Sequence, residues 1–341
     1  MKKITLGRTN ITTNIIGFGA LPIQRVSEDY AGMLLSKAYD AGVTFFDTAH
    51  SYSDSEKKIG LALSSVRENI YLATKTPATT GADLVKDLET SLRLLKTDYI
   101  DIYQFHNPPK VPRPGDGSDL YDAALKAKEA GKIRHIGITN HRLKVAEEAV
   151  RSDLYDTIQF PFSYLASEAE KKLALLCRER NVGFIAMKAL AGGLITRADV
   201  AYAYLAEYDD MLPIWGIQRE SELDEFIRFI AAPPLLNAER NRTIENDRLQ
   251  LAGDFCRGCA YCLPCPADIQ INNCARMSQL IRRSPSAFWI GEEGQKLMNK
   301  INDCINCNQC VGKCPYGLNT PVLLKQNLQD YQAIISGATI I

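Results

Sequence analysis

Nine of the ten cysteines in this 341-residue chain lie between Cys256 and Cys314. Eight of these nine fall in two runs, Cys256-x-x-Cys259-x-x-Cys262-x-x-Cys265-Pro266 and Cys304-x-x-Cys307-x-x-Cys310-x-x-x-Cys314-Pro315. Three thiolates two residues apart can wrap one face of a 4Fe–4S cubane. The fourth, offset and followed by proline, ligates the other cluster of a pair. The expected ligand sets are therefore Cys256, Cys259, Cys262 and Cys314 for one cluster, and Cys304, Cys307, Cys310 and Cys265 for the other. The first run departs from the usual spacing by one residue before its last cysteine. Structural zinc is the competing reading of Cys-x-x-Cys pairs, although a zinc site takes two pairs rather than a triple run with a Cys-Pro. One cluster with a degenerate partner is a further alternative. Cys177 and Cys274 stand outside the runs and read as small buried apolar residues.

A second constellation precedes the cysteines. Phe46-Asp47-Thr48-Ala49-His50-Ser51-Tyr52 continues through Glu56, Gly60 and Leu63, with Lys75, His106 and Gly137-Ile138-Thr139-Asn140 beyond. At these residues, over about residues 4–230, the chain resembles the aldo-keto reductase family. With the cysteine runs it resembles that family's iron–sulfur subgroup, which ends in a ferredoxin-type domain with two 4Fe–4S clusters. The resemblance implies a catalytic tetrad of Asp47, Tyr52, Lys75 and His106. It also implies a nicotinamide cofactor, NADPH or NADH with a lean towards NADPH, held at Gly19, Asp47, Thr139, Asn140, Gln159, Met187, Gly192, Gly216 and Arg219.

The tetrad has a physical logic of its own. Hydride addition to a carbonyl makes an alkoxide, which needs a proton donor. A phenol with a reference pKa of about 10 exchanges protons poorly at neutral pH. A buried ammonium beside it stabilises the phenolate. Lys75 is thus expected to lower the Tyr52 pKa, Asp47 to hold Lys75 charged, and His106 to hydrogen-bond the carbonyl oxygen as charge develops there. The departures from the family pattern concern the cofactor. Met187 stands where an aromatic ring commonly stacks on the nicotinamide. Glu222 and Phe226 stand where a cation or glutamine and an asparagine would help hold a 2′-phosphate, which leaves Arg219 as its candidate partner. Gly17-Phe18-Gly19 is no dinucleotide fingerprint, because no third glycine opens a helix.

These side chains need a scaffold that gathers them. Eight short apolar runs occur before residue 232: Asn14–Leu21, Thr44–Thr48, Ile70–Lys75, Tyr99–Phe105, Ile133–Thr139, Thr157–Phe160, Gly183–Met187 and Leu212–Ile217. Several are nearly continuous in β-branched or aromatic residues, as strands buried on both faces must be. Amphipathic stretches such as Ala82–Leu95 and Glu168–Arg180 separate them. Eightfold strand–helix alternation predicts an α/β fold, a (β/α)8 TIM barrel, with a doubly wound open sheet as the competing reading. The segment before residue 14 is expected to form a hairpin on the barrel floor. Asp47, Lys75 and His106 close consecutive strands, where barrel chemistry sits. The expected organisation is a barrel over 1–235, a polar linker over 236–252 and a small helical cluster domain over 253–341.

Lys plus Arg and Asp plus Glu balance at 40 each, so no nucleic-acid or membrane-surface footprint is expected. Met1-Lys-Lys-Ile-Thr-Leu-Gly lacks the apolar core of a signal peptide, and a cytoplasmic address is expected, which also favours metal over disulfides. The leading expectation is an oxidoreductase that reduces an aldehyde or ketone, a small-molecule carbonyl substrate. The alternative is an enzyme fed single electrons through the clusters by a ferredoxin or other electron carrier. A redox or iron sensor is a third reading, which the complete tetrad disfavours.

Overall fold

The structure, a computed structural model, describes residues 2–251, 255–283 and 287–338. It divides into two compact units, residues 1–189 with 199–236, and residues 190–198 with 237–341.

The first unit opens with an antiparallel hairpin, β1 (Lys3–Thr5) and β2 (Thr12–Asn14). Eight strands follow: β3 (Gly17–Gly19), β4 (Phe45–Asp47), β5 (Tyr71–Thr76), β6 (Ile100–His106), β7 (Ile133–Thr139), β8 (Thr157–Pro161), β9 (Gly183–Met187) and β10 (Met211–Gly216). They pair in parallel, each with its neighbour in sequence, and β10 pairs with β3 to close a barrel. The open sheet is thereby excluded. Hairpin residues Ile4, Leu6 and Ile11 pack in one core with the strand residues Phe45, Ala73, Ile102, Ile185, Leu212 and Ile214, so the hairpin seals the barrel as expected. The first strand is shorter than its apolar run, because Asn14 belongs to the hairpin.

Eight helices alternate with the strands: α1 (Glu28–Asp40), α2 (Ser55–Leu63), α3 (Gly81–Leu95), α4 (Leu120–Glu129), α5 (Leu143–Arg151), α6 (Glu168–Glu179), α7 (Ala198–Leu205) and α8 (Glu220–Ala231). Helix α3 shows why the sequence is helical there. Leu84, Leu88, Leu92 and Leu95 recur at helical spacing and are buried on one face. Thr80 caps the start by accepting the Asp83 N–H, and Lys96 ends the helix in a left-handed conformation. Gly60 lets α2 approach α3 closely, since a Cβ there would lie 2.1 Å from the Leu94 carbonyl oxygen. The loop between β4 and α2, which leads into that packed helix, carries Tyr52.

The second unit is helical: α9 (Ala238–Gln250), α10 (Ile271–Cys274), α11 (Met277–Arg283), α12 (Ala287–Ile290), α13 (Glu292–Asn299), α14 (Gln309–Lys313) and α15 (Thr320–Ile335). Met277, Leu280, Ile281, Met298, Leu324, Leu328 and Tyr331 are buried in it. Asn327 of α15 ties the helices together by accepting the Ser278 N–H and donating to Ala275 O. The stretch expected to be a linker is instead mostly helix. Asn237 caps α9, Ile244 is buried, and Asp247 pairs with Arg283 at 2.8 Å. A helix so rich in charge buries little apolar surface and therefore carries almost no periodic signal. The expected boundary at residues 252 and 253 lies outside the described residues. Residues 190–198, which follow the seventh barrel strand, group with this second unit rather than with the barrel.

Candidate functional site

The tetrad side chains come together at the ends of three adjacent strands. Asp47 is the last residue of β4, Lys75 the penultimate residue of β5, and His106 the last of β6. Lys75 Nζ donates to Asp47 Oδ2 at 2.7 Å and also to Thr48 O. Tyr52, in the turn before α2, sets its ring 5.1 Å from Lys75 Nζ, measured to the centroid. The Tyr52 and His106 rings meet edge-on with centroids 5.8 Å apart. The Ser51 hydroxyl lies 3.2 Å from His106 Nδ1.

The electrostatics follow from burial. Desolvation pushes the Asp47 pKa up and the Lys75 pKa down, while each charge opposes the effect on the other. The His106 imidazole is pushed down to about 3, first by burial and then by Lys75, and is therefore neutral at physiological pH. Tyr52 departs from expectation. Burial, and next Asp47, raise its pKa well above the ordinary phenol value. The Lys75 ammonium, meanwhile, is hydrogen-bonded to Asp47 and Thr48 O, with its nitrogen 5.1 Å from the centre of the Tyr52 ring. The site holds Tyr52 as a protonated phenol.

Three neighbours of the tetrad have no role assigned from the sequence. Gln104 donates to Asp47 Oδ1 at 3.4 Å. It sits two residues before His106 on β6, hence on the same face, and an amide inside an apolar run was the available signal. Ser51 touches His106. Glu56 is buried and accepts the Thr74 hydroxyl at 2.6 Å, with His50 Nδ1 3.8 Å from its other oxygen.

The expected cofactor residues divide. Gly19 and Gly216 are register partners at the β3–β10 seam, and Met187 ends β9. Gln159 Nε2 donates to Asp47 Oδ2 at 3.4 Å, and its buried Oε1 has no donor among the described residues. Thr139 and Asn140 hold the loop after β6: Thr139 Oγ1 accepts the Asn107 N–H at 3.2 Å, and Asn140 Nδ2 donates to Pro108 O at 2.8 Å. Arg219 is paired with Glu222, Nη2 to Oε1 at 2.6 Å. Glu222 in turn accepts the N–H groups of Gln218 and Arg219, at 2.9 and 3.0 Å, across the start of α8. Burial opposes its ionisation, but these donors hold the Glu222 carboxyl below its usual range. Gly192 belongs to the second unit.

In that unit the cysteines line two cavities. Cys256, Cys259, Cys262 and Cys314 line one; Cys265, Cys304, Cys307 and Cys310 line the other, which Cys262 also borders. These are the two crossed sets expected from the spacing. The thiols surround space rather than converge on a point. Among the described residues, no three or more His, Cys, Asp or Glu side chains gather as a single metal ion would require. Burial, and then the neighbouring thiols, push Cys262 up to about 12, so thiolates there need a cationic core to offset them. Four separated thiolates around a cavity suit a multi-iron cluster. Cys177 and Cys274 are buried outside the cavities, as the sequence suggested.

Comparison with known proteins agrees with both halves. Residues 15–200 match the aldo/keto reductase family, and residues 255–319 match the 4Fe-4S dicluster domain. Aldo-keto reductase YhdN of Bacillus subtilis is 30% identical over 231 residues, 62% of this chain and 68% of that protein. L-galactose dehydrogenase of Arabidopsis thaliana is 30% identical over 210 residues, 56% of this chain and 66% of that protein. Among solved structures, the aldo-keto reductase from Klebsiella pneumoniae in complex with NADPH superimposes with a TM-score of 0.62 at 21% identity, over 72% of this chain and 94% of that one. Among the described residues, no helix is long and apolar enough to cross a membrane. The chain belongs to the aldo/keto reductase family of oxidoreductases and carries a C-terminal 4Fe-4S dicluster domain.

Proposed function

We propose that the barrel reduces an aldehyde or ketone, with Tyr52 as proton donor and His106 as the group that polarises the carbonyl. The observation carrying this reading is the gathering of Asp47, Tyr52, Lys75 and His106, with Tyr52 kept protonated and His106 kept neutral. In this reading Ser51 donates to Nδ1, 3.2 Å away, which puts the His106 hydrogen on Nε2, where it can be donated to the substrate oxygen. As the oxygen gains charge, that bond strengthens. Tyr52 then transfers its proton to the oxygen, and the Lys75 cation over the ring stabilises the phenolate until solvent reprotonates it. Asp47 keeps Lys75 charged.

A nicotinamide, when bound, would supply the hydride to the carbonyl carbon. The residues fit its carboxamide at Gln159, whose buried Oε1 can accept an amide N–H. The adenylate end favours NADH over the lean towards NADPH. In barrels a phosphate commonly sits between the last βα loops and a helix N-terminus, and here Glu222 already holds Arg219 and the loop N–H groups of Gln218 and Arg219 just before α8. Two clusters would be held by the crossed cysteine sets and would supply one-electron storage. A second reading, reduction by single electrons delivered through the clusters from a ferredoxin-like carrier, draws on the internal commitments of Asn140 and Arg219. In that case the tetrad handles protons alone.

The test is anaerobic turnover of a panel of aldehydes and ketones, with NADH or NADPH in one series and a reduced viologen dye in the other. Tyr52→Phe should lower nicotinamide-driven reduction by about 100- to 10,000-fold, with the melting temperature and cofactor affinity preserved. Full activity of Tyr52→Phe on every substrate found would overturn the assignment of the proton donor. Turnover with the dye but never with a nicotinamide would favour the second reading.

A further inference from the structure

The two cysteine cavities differ in their charged surroundings. The cavity of Cys265, Cys304, Cys307 and Cys310 is otherwise lined by Pro266, Ala267, Ile269, Ile271, Ile305 and other uncharged residues. Its loop from Ile305 to Gln309 is exposed. The cavity of Cys256, Cys259, Cys262 and Cys314 has Arg257 in its wall. Arg257 lies over the Phe255 ring at 4.5 Å and the Tyr316 ring at 5.3 Å. A second guanidinium stands at the same loop. Gly258, between two of the cysteines, has φ of +62°, and a Cβ built on it would stand 2.7 Å from Arg276 Cζ and 3.0 Å from Nη2. Only a glycine lets the guanidinium come so near that backbone. Arg276 is fixed there, donating from Nη1 to Gly192 O at 2.8 Å and from Nε to Asn272 O at 3.1 Å. The Gly258 N–H also points at Cys256 Sγ, 3.4 Å away.

We propose that Arg276, aided by Arg257, sets the reduction potential of the cluster held by Cys256, Cys259, Cys262 and Cys314. This rests on the reading that the crossed cysteine sets hold two clusters. Each cluster accepts one electron, and with four thiolates its net charge becomes one unit more negative on reduction. A fixed cation beside it stabilises the reduced state more than the oxidised state and raises the potential. Arginine suits this role because it stays charged in proteins. The other cavity has no charged residue in its wall. The guanidiniums therefore draw an electron towards the first cluster. Arg276 is a positioning residue in electrostatic terms: it supplies charge without ligating iron.

The experiment is a dithionite titration of the anaerobically purified holoprotein, followed by electron paramagnetic resonance, on wild type, Arg276→Gln, Arg276→Lys and Arg257→Gln. Iron and sulfide are measured on every sample. Two clusters require about eight of each per chain. A wild type with zinc or a single cluster would defeat the two-cluster reading before any variant is compared. With two clusters present, Arg276→Gln should lower one midpoint and leave the other in place. Arg276→Lys should restore most of the shift, and Arg257→Gln should move the same midpoint in the same direction. If Arg276→Gln loses iron, Arg257→Gln still decides, because it leaves the bonds to Gly192 and Asn272 intact. Unmoved midpoints in fully loaded variants, or equal shifts of both clusters, would overturn the proposal.

Discussion

Removing the Lys75 ammonium while leaving the Asp47 carboxylate probes the buried pair directly. The two side chains are 1% and 3% exposed and 2.7 Å apart. In Lys75→Met the carboxylate keeps, among the described residues, the amides of Gln104 and Gln159, each 3.4 Å away. Leaving one partner of a buried pair costs about 3–5 kcal/mol, unless the orphan takes a proton. Asp47 in the variant should then fold protonated, whereas its unfolded form, with an ordinary pKa of about 3.9, is ionised. The folded state binds the extra proton, so stability falls as pH rises, by about 1.4 kcal/mol per pH unit. From about pH 5 to about pH 7 the variant should lose about 2.7 kcal/mol that the wild type keeps. Urea unfolding of both proteins across that range measures the difference. Adding Asp47→Asn removes the titrating group, and the slope should vanish with it. A Lys75→Met curve that runs parallel to the wild type at every pH, or a total loss under about 1 kcal/mol, would mean that Asp47 and Lys75 are not the ionised pair described here.

Glu222→Ala should release Arg219 and the N–H groups of Gln218 and Arg219, raising NADPH affinity by about tenfold or more relative to NADH, in line with one charge-assisted contact; fluorescence titration reads it, and an unchanged affinity ratio counts against the NADH assignment. The acid side of kcat/KM should show no fall near pH 6.5, because burial and Lys75 hold the His106 pKa at about 3. The same depressed value makes its contribution to stability complete above about pH 6.5 and progressively lost as pH drops towards 3, which acid unfolding of wild type against His106→Gln would register.

The barrel was legible because its strands are buried on both faces, so each apolar run marked one strand and the alternation gave the closure. The two cysteine groups that line the cavities were legible because their spacing is local: three cysteines in seven residues need no tertiary knowledge. Helix α9 was not legible, since its contacts rest on Ile244, Asp247 and the Asn237 cap rather than on an apolar stripe. Nor was the grouping of residues 190–198 with the second unit, because it depends on partners far along the chain, such as Arg276 on Gly192 O and Arg283 on Leu194 O. The Tyr52 pKa was misjudged for a similar reason. Sequence places an ammonium near a phenol, but not the burial of that phenol or the hydrogen bond that ties the ammonium to Asp47.

The residues carried over from the family pattern separate by whether they have other work inside the chain. Asp47, Lys75, Tyr52 and His106 act on one another, so their arrangement is already assembled. Thr139, Asn140 and Arg219 were expected to hold a ligand, yet their polar atoms satisfy Asn107, Pro108 and Glu222. Each such bond must be shared or exchanged when a nicotinamide arrives, and the net gain of an exchange is smaller than that of filling an empty donor. Under the proposed function, the barrel would be preorganised for proton transfer and self-satisfied at the residues proposed to grip the cofactor. Gln159 is the exception, with a buried oxygen still to be matched. Weak nicotinamide affinity with intact tetrad chemistry is the expected consequence. On the same proposal, a second supply of electrons through the two cysteine cages could be grafted onto this barrel without altering the residues proposed to move the proton.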